Sequence, residues 1–165
     1  MKKQYTLLIF FFFTISLFAQ ENWNQQIDAK LPQVISSHRT FVSIPNLPSD
    51  IQKMYKNVAW VKEHYSKVGF ELKTLESSTL PVLFAERIIN PAFKTILFYF
   101  HLDGQAVNSK SWNQKDPFQP VLKEQNEAGQ WDEIAWSRAD EKMKDDWRIF
   151  GRAAADDKAP IVMFL

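Results

Sequence analysis

The chain has 165 residues, with 20 basic and 19 acidic side chains and a formal net charge of +1. That balance gives no basic field for nucleic acid and no acidic field for a cationic partner. There are no cysteines, so disulfides and thiolate metal sites are excluded, and any metal centre must be built from His, Asp and Glu.

Residues 1–20 read as a secretory signal peptide. Lys2 and Lys3 form a basic start, Leu7 to Phe18 is almost unbroken apolar sequence, and Leu17-Phe18-Ala19 is a passable cleavage site. The run is shorter than the ~20 residues a spanning helix needs, so an uncleaved anchor ranks second and no stable membrane span is expected. The expectation is an exported protein, periplasmic or secreted. Its mature part, residues 21–165, is long enough for one domain with a buried core.

Glu21 to about Ile44 reads as a helix, with Ile27, Leu31, Val34 and Ile35 on one face. Ser43-Ile44-Pro45-Asn46-Leu47-Pro48 is a breaker cluster. Ser49 and Asp50 then offer N-cap oxygens for a second helix. Its apolar stripe is Ile51, Met54, Val58, Trp60, Val61 and Tyr65, and Gly69 lies just past its end. His38 and His64 are read as surface histidines without a role.

Strands follow. Phe70 to Leu75 alternates apolar and polar residues, Leu80 to Ile88 is a second strand, and Asn90-Pro91 marks a turn. Thr95 to Phe100 is apolar on both faces, which predicts a central strand. His101 and Asp103 would emerge at its carboxyl end, where open α/β sheets bind ligands. Residues 104–147 are polar and irregular, and hold four of the six tryptophans: Trp112, Trp131, Trp136 and Trp147. Such a stretch is either functional or carries short structure of its own. The mixed charges from Lys123 to Arg148 read as solvated. Arg148-Ile149-Phe150 is a short strand, and an apolar helix begins near Pro160.

Two short segments carry the chemistry. His101-Leu102-Asp103 puts an imidazole and a carboxylate on one side of an extended backbone. A neutral imidazole is a good zinc ligand, and a nearby carboxylate can fix its tautomer. Alone, the pattern reads more readily as a strand-end histidine bonded to an aspartate. Asp156-Asp157 offers a carboxylate able to bridge two metals, but alone it reads as the N-cap of the following helix. Lys158 alone reads as an exposed lysine paired with Asp157.

In order, the chain shows His101-x-Asp103, Trp112, Asp116-Pro117-Phe118-x-Pro120, and Phe150-Gly151-Arg152-x-x-x-Asp156-Asp157-Lys158. With Val42-Ser43-Ile44-Pro45 upstream, this order resembles the M20 family of zinc metallopeptidases, the carnosinase, aminoacylase and dipeptidase group. The resemblance runs over about residues 25–165. It implies an α/β fold: the N-terminal part of a zinc-peptidase (phosphorylase/hydrolase-like) domain, with an incomplete sheet flanked by helices.

The resemblance further implies that His101 is a zinc ligand and that Asp156 bridges two Zn2+ ions. Asp103 would be the catalytic-site aspartate that orients His101. The bond after Asp156 is often cis in the family. The implied activity is zinc-dependent hydrolysis of dipeptides, short peptides or N-acyl amino acids. The general-base glutamate, the other ligands and the lid or dimerisation domain come later in the family's sequence. The expectation is therefore a truncated chain, inactive alone, with any homodimer a property of the full-length protein. A non-enzymatic remnant, or a periplasmic binding module built on the tryptophan-rich segment, are the alternatives. Ala153 and Ala159 stand where the family has glycine, which puts the turn geometry in question wherever φ must be positive.

Overall fold

A computed structural model describes residues 23–141 and 143–165; the leader expected at residues 1–20 lies outside the described residues. Residues 23–33 are helical and belong to a unit separate from residues 34–165. Among the described residues no helix is long and apolar enough to cross a membrane.

The second unit opens with helical residues 34–42, here α1. The breaker cluster then turns the chain into α2, Ile51–Lys67. Asp50 caps α2 as expected, its Oδ1 accepting from the Lys53 amide at 3.1 Å. Met54, Val58, Trp60, Val61 and Tyr65 of the expected stripe are buried, and Ile51 at the first turn is exposed. Gly69, at φ +86°, takes the left-handed position just beyond the helix.

β1 (Glu71–Leu75) and β2 (Val82–Glu86) form an antiparallel two-stranded sheet. A second sheet has the order β4-β3-β5, all antiparallel, from β3 (Val121–Gln125), β4 (Trp131–Ile134) and β5 (Arg148–Phe150). A short helix α3 (Ser137–Glu141) lies between β4 and β5, and α4 (Lys158–Met163) follows the site turn. The core joins Phe41 of α1, Trp60, Val61 and Tyr65 of α2, and Ile161 and Val162 of α4. Phe41 stacks on Trp60 with centroids 4.0 Å apart, and the Tyr65 hydroxyl donates to the Ile161 carbonyl at 2.8 Å.

Three expectations are corrected. Thr95 to Phe100 is not a strand, because none of the described strands pairs with it and a strand requires a ladder. Near its end Phe98 and Phe100 pack edge-on against Phe164 at 4.5 and 5.3 Å, and Phe100 also touches the core cluster. Residues 104–147 are not irregular throughout, since they carry the β3–β4 hairpin and α3. Nor is the charged stretch all solvated. Lys123 and Trp147 are buried, and the Lys123 ammonium lies 4.8 Å from the Phe150 ring centre, so the stem is covered and the charge faces a π-cloud.

Candidate metal half-site at His101 and Asp156

The structure brings the two chemistry-bearing segments together. His101 Nε2 lies 2.8 Å from Asp156 Oδ1, although 55 residues separate them. Its other nitrogen, Nδ1, lies 2.8 Å from the Asp103 carbonyl oxygen and 3.4 Å from that residue's carboxylate. Asp103 is thus beside His101, with its backbone oxygen the nearer partner. Partial burial disfavours the charged imidazole, but the Asp103 carbonyl and then the Asp156 carboxylate outweigh it, so the His101 pKa is raised.

The neighbouring backbone explains the geometry. Asn46, from the breaker cluster, is buried and grips both sides of Asp103. Its Nδ2 donates to the Leu102 carbonyl at 2.8 Å, and its carbonyl accepts from the Gly104 amide at 2.7 Å. A Cβ on Gly104 would meet Asn46 Oδ1 at 2.7 Å, so any larger residue would push the Asn46 amide out of place. Asn57 of α2 in turn donates to the Pro45 carbonyl at 2.9 Å, holding the cluster.

On the other segment, β5 ends at Phe150 and Gly151 passes so close to α1 that a Cβ there would lie 2.9 Å from Val42 Cγ1. The Arg152 amide donates to the Pro117 carbonyl at 2.7 Å, which gives the Asp116-Pro117-Phe118 segment a structural part in the turn. Ala153 has φ +62°, so the alanine in place of glycine does occupy a left-handed position. The Asp156–Asp157 bond is cis.

Two readings from sequence are overturned here. Lys158 is not an exposed partner of Asp157. It is fully buried, with Nζ donating to the carbonyls of Phe41 at 2.8 Å and Ile44 at 2.6 Å, and burial pushes its pKa down to about 7. His38 is not a surface residue: it is buried, and its Nε2 lies 2.7 Å from the Ala154 carbonyl. His64 stacks on Trp60 at 3.8 Å. Asn46, His38, Lys158 and Asp157 all shape this site from outside the two expected ligands. Only their positions flanking turns and motif ends hinted at it.

Asp156 has 86% of its side chain exposed, so its carboxylate is open to solvent and to a ligand. At 2.8 Å an imidazole N–H on Nε2 donates to the Asp156 carboxylate, and a metal ion is the other species that can sit between these two atoms. Ligands about 2.0–2.1 Å from a tetrahedral zinc are roughly 3.3 Å apart, so these two atoms fit an ion after a shift of a few tenths of an ångström. With Nδ1–H directed at the Asp103 carbonyl, Nε2 is the ring nitrogen left to face Asp156. Among the described residues no group of three or more His, Cys, Asp or Glu side chains converges to hold a metal. The structure therefore brings together one imidazole and one open carboxylate.

No family model matches the sequence. The Cys-Gly metallodipeptidase dug1 of Schizosaccharomyces pombe is 24% identical over 149 residues, covering 82% of this chain and 27% of that protein. Among solved structures, that of the dipeptidase Dug1p from Saccharomyces cerevisiae matches with a TM-score of 0.61 and 24% identity. The match covers 85% of this chain and 28% of that one. The chain spans little more than a quarter of the length of either relative. The fold is accordingly mixed α/β, small sheets flanked by helices, similar to a fragment of a dipeptidase.

Proposed function

We propose that the chain supplies part of the active site of an M20-type metallodipeptidase, which hydrolyses dipeptides or short peptides. The observation that carries the reading is the pairing of His101 Nε2 with the open Asp156 carboxylate at 2.8 Å, together with the likeness to a metallodipeptidase over most of the chain.

His101 and Asp156 would hold zinc, and Asp156, whose side chain is largely exposed, is the residue able to bridge two ions. A bound zinc pair lowers the pKa of water and polarises a carbonyl, the chemistry peptide hydrolysis needs. This chain's residues prepare that place: the Asp103 carbonyl can take an Nδ1–H, which turns Nε2 toward the metal position, and Asn46 fixes the backbone on both sides of Asp103. A catalytic zinc takes about three protein ligands, so the described residues form a half-site. In this reading hydrolysis requires further donors, and the chain alone is inactive. Residues 1–20 direct export in the same reading.

Zinc calorimetry on the chain tests the proposal. Stoichiometric binding that is lost in both His101→Ala and Asp156→Ala is the expected result. Binding indifferent to both substitutions would overturn it.

A further inference from the structure

Asp157 sits at the N-cap position of α4, where an aspartate ordinarily accepts from the first helical amides. It makes no side-chain cap bond. Its Oδ2 instead accepts from the backbone amide of His101, 3.2 Å away and 56 residues earlier. Consecutive aspartates therefore grip one residue from two sides. Asp156 meets the His101 ring and Asp157 meets the His101 backbone.

The amide of His101 has no ladder to join, because the segment leading into it has no strand partner among the described residues. Without Asp157 that partly buried N–H would lose its acceptor. Most other ties hold each segment to a third element, apart from the exposed Arg152 guanidinium, which donates to the Ala106 carbonyl at 3.5 Å. Asn46 holds Leu102 and Gly104, while His38, Pro117 and the Phe41 and Ile44 carbonyls hold the 151–158 turn. The bond from Asp157 crosses between the two segments without using either proposed ligand atom.

We propose that Asp157 is a positioning residue that sets the register of the His101 segment against the Asp156 turn. It thereby holds imidazole and carboxylate at metal-binding separation. The inference rests on the metal reading above for its functional meaning. Its structural half, the tie to the His101 amide, stands on geometry alone. Asp157 is not a ligand here: one carboxylate oxygen is engaged by backbone, and the residue is partly buried where Asp156 is open.

The test has two readouts on the chain: amide hydrogen exchange at His101 by NMR, and zinc affinity by calorimetry. Asp157→Ala and Asp157→Ser remove the acceptor at that reach; serine keeps a capping hydroxyl for α4 and serves if alanine disturbs the fold. Asp157→Asn keeps an oxygen in place. In the alanine and serine variants His101 should exchange faster by about 10–100-fold, the scale of a lost hydrogen bond to a charged acceptor. Zinc should bind more weakly by about 10–100-fold, as when a group supporting a ligand is removed. The asparagine variant should restore most of both.

Unchanged exchange in the alanine and serine variants overturns the tie. Faster exchange with unchanged zinc affinity overturns the positioning role. A wild-type chain that binds no zinc, yet whose His101 protection follows Asp157, overturns the metal reading and leaves the tie supported. Asp156→Ala separates the two, since it should abolish zinc binding while His101 stays protected.

Discussion

His38 Nε2 lies 2.7 Å from the Ala154 carbonyl, 116 residues further along the chain. This bond pins α1 to the turn that presents Asp156, two residues beyond Ala154. Burial lowers the pKa of His38; the bond to Ala154 opposes the shift, and the nearby Lys158 ammonium adds to it. A histidine whose folded pKa lies below its unfolded value binds fewer protons folded than unfolded. Stability is then fully present above the unfolded value of 6.5 and falls as pH drops below it. Urea unfolding between pH 7.5 and 5 should show the loss, with a slope of at most about 1.4 kcal/mol per pH unit from this group. His38→Gln, which keeps an N–H donor, should flatten that component. An unaltered pH profile in the glutamine variant would sink the assignment.

Lys158 offers a second test of the same join. Its ammonium is fully buried with two carbonyl acceptors and lies 4.6 Å from the Phe41 ring centre. These carbonyls belong to the C-terminal end of α1 and the turn after it, where a cation complements the helix dipole. Lys158→Met keeps the stem and strips the charge. It leaves the Ile44 carbonyl without its donor at about 1–3 kcal/mol, while the Phe41 carbonyl keeps the Ile44 amide at 3.1 Å, and the loss is partly offset by no longer burying an ammonium. The net expectation is a loss of about 1–3 kcal/mol. Lys158→Ala should cost more, because it adds a cavity. Chemical denaturation of the two variants gives the order, and a methionine variant as stable as wild type would refute the strut.

Ala153 and Ala159 should respond to glycine in opposite directions. Ala153 has φ +62°, a conformation that costs an L-residue about 1–2 kcal/mol. Ala153→Gly should therefore stabilise by up to about 1 kcal/mol, once the greater freedom of an unfolded glycine is deducted. Ala159 lies inside α4, where alanine is favoured. Ala159→Gly should destabilise by about 0.5–1 kcal/mol. Thermal melts of the pair decide it: shifts of the same sign would contradict the backbone assignment.

Local signals were legible in the sequence and distant ones were not. Asp50 as a cap, the stripe of α2, Gly69 at its end and the 148–150 strand each depend on neighbours within a few residues, and each stands where the pattern puts it. The ordered motifs also foretold that the His101 and Asp156 segments belong to one place. What escaped the sequence was the scaffold around them. A lysine is solvated by default and an Asp before a helix caps by default, so nothing nearby signals that Lys158 is buried under α1 or that Asp157 reaches back to His101. Asn46 looked like turn punctuation because its partners, Leu102 and Gly104, are far along the chain. The Thr95–Phe100 pattern reports apolar faces but not whether a partner strand is present to cover them.

That uncovered segment gives the last prediction. Phe98 and Phe100 alternate onto Phe164, whereas Leu97 and Tyr99 face the other way and are 85% and 86% exposed. Ile96 is exposed as well. An extended apolar run with unpaired backbone groups is a template for association with other strands. Leu97→Lys combined with Tyr99→Lys puts charge on the outward face alone. Self-association in sedimentation velocity and binding of a hydrophobic dye should both fall, while the melting temperature changes little, because no packed atom is removed. Phe100→Ala should do the reverse. It removes an inward anchor and should cost about 1–3 kcal/mol, less than a fully buried phenylalanine because the ring is only partly covered. If the double-lysine variant associates as strongly as wild type, the exposed run is not what drives association. A melt lowered as much as that of Phe100→Ala would mean that Leu97 and Tyr99 are packed in solution.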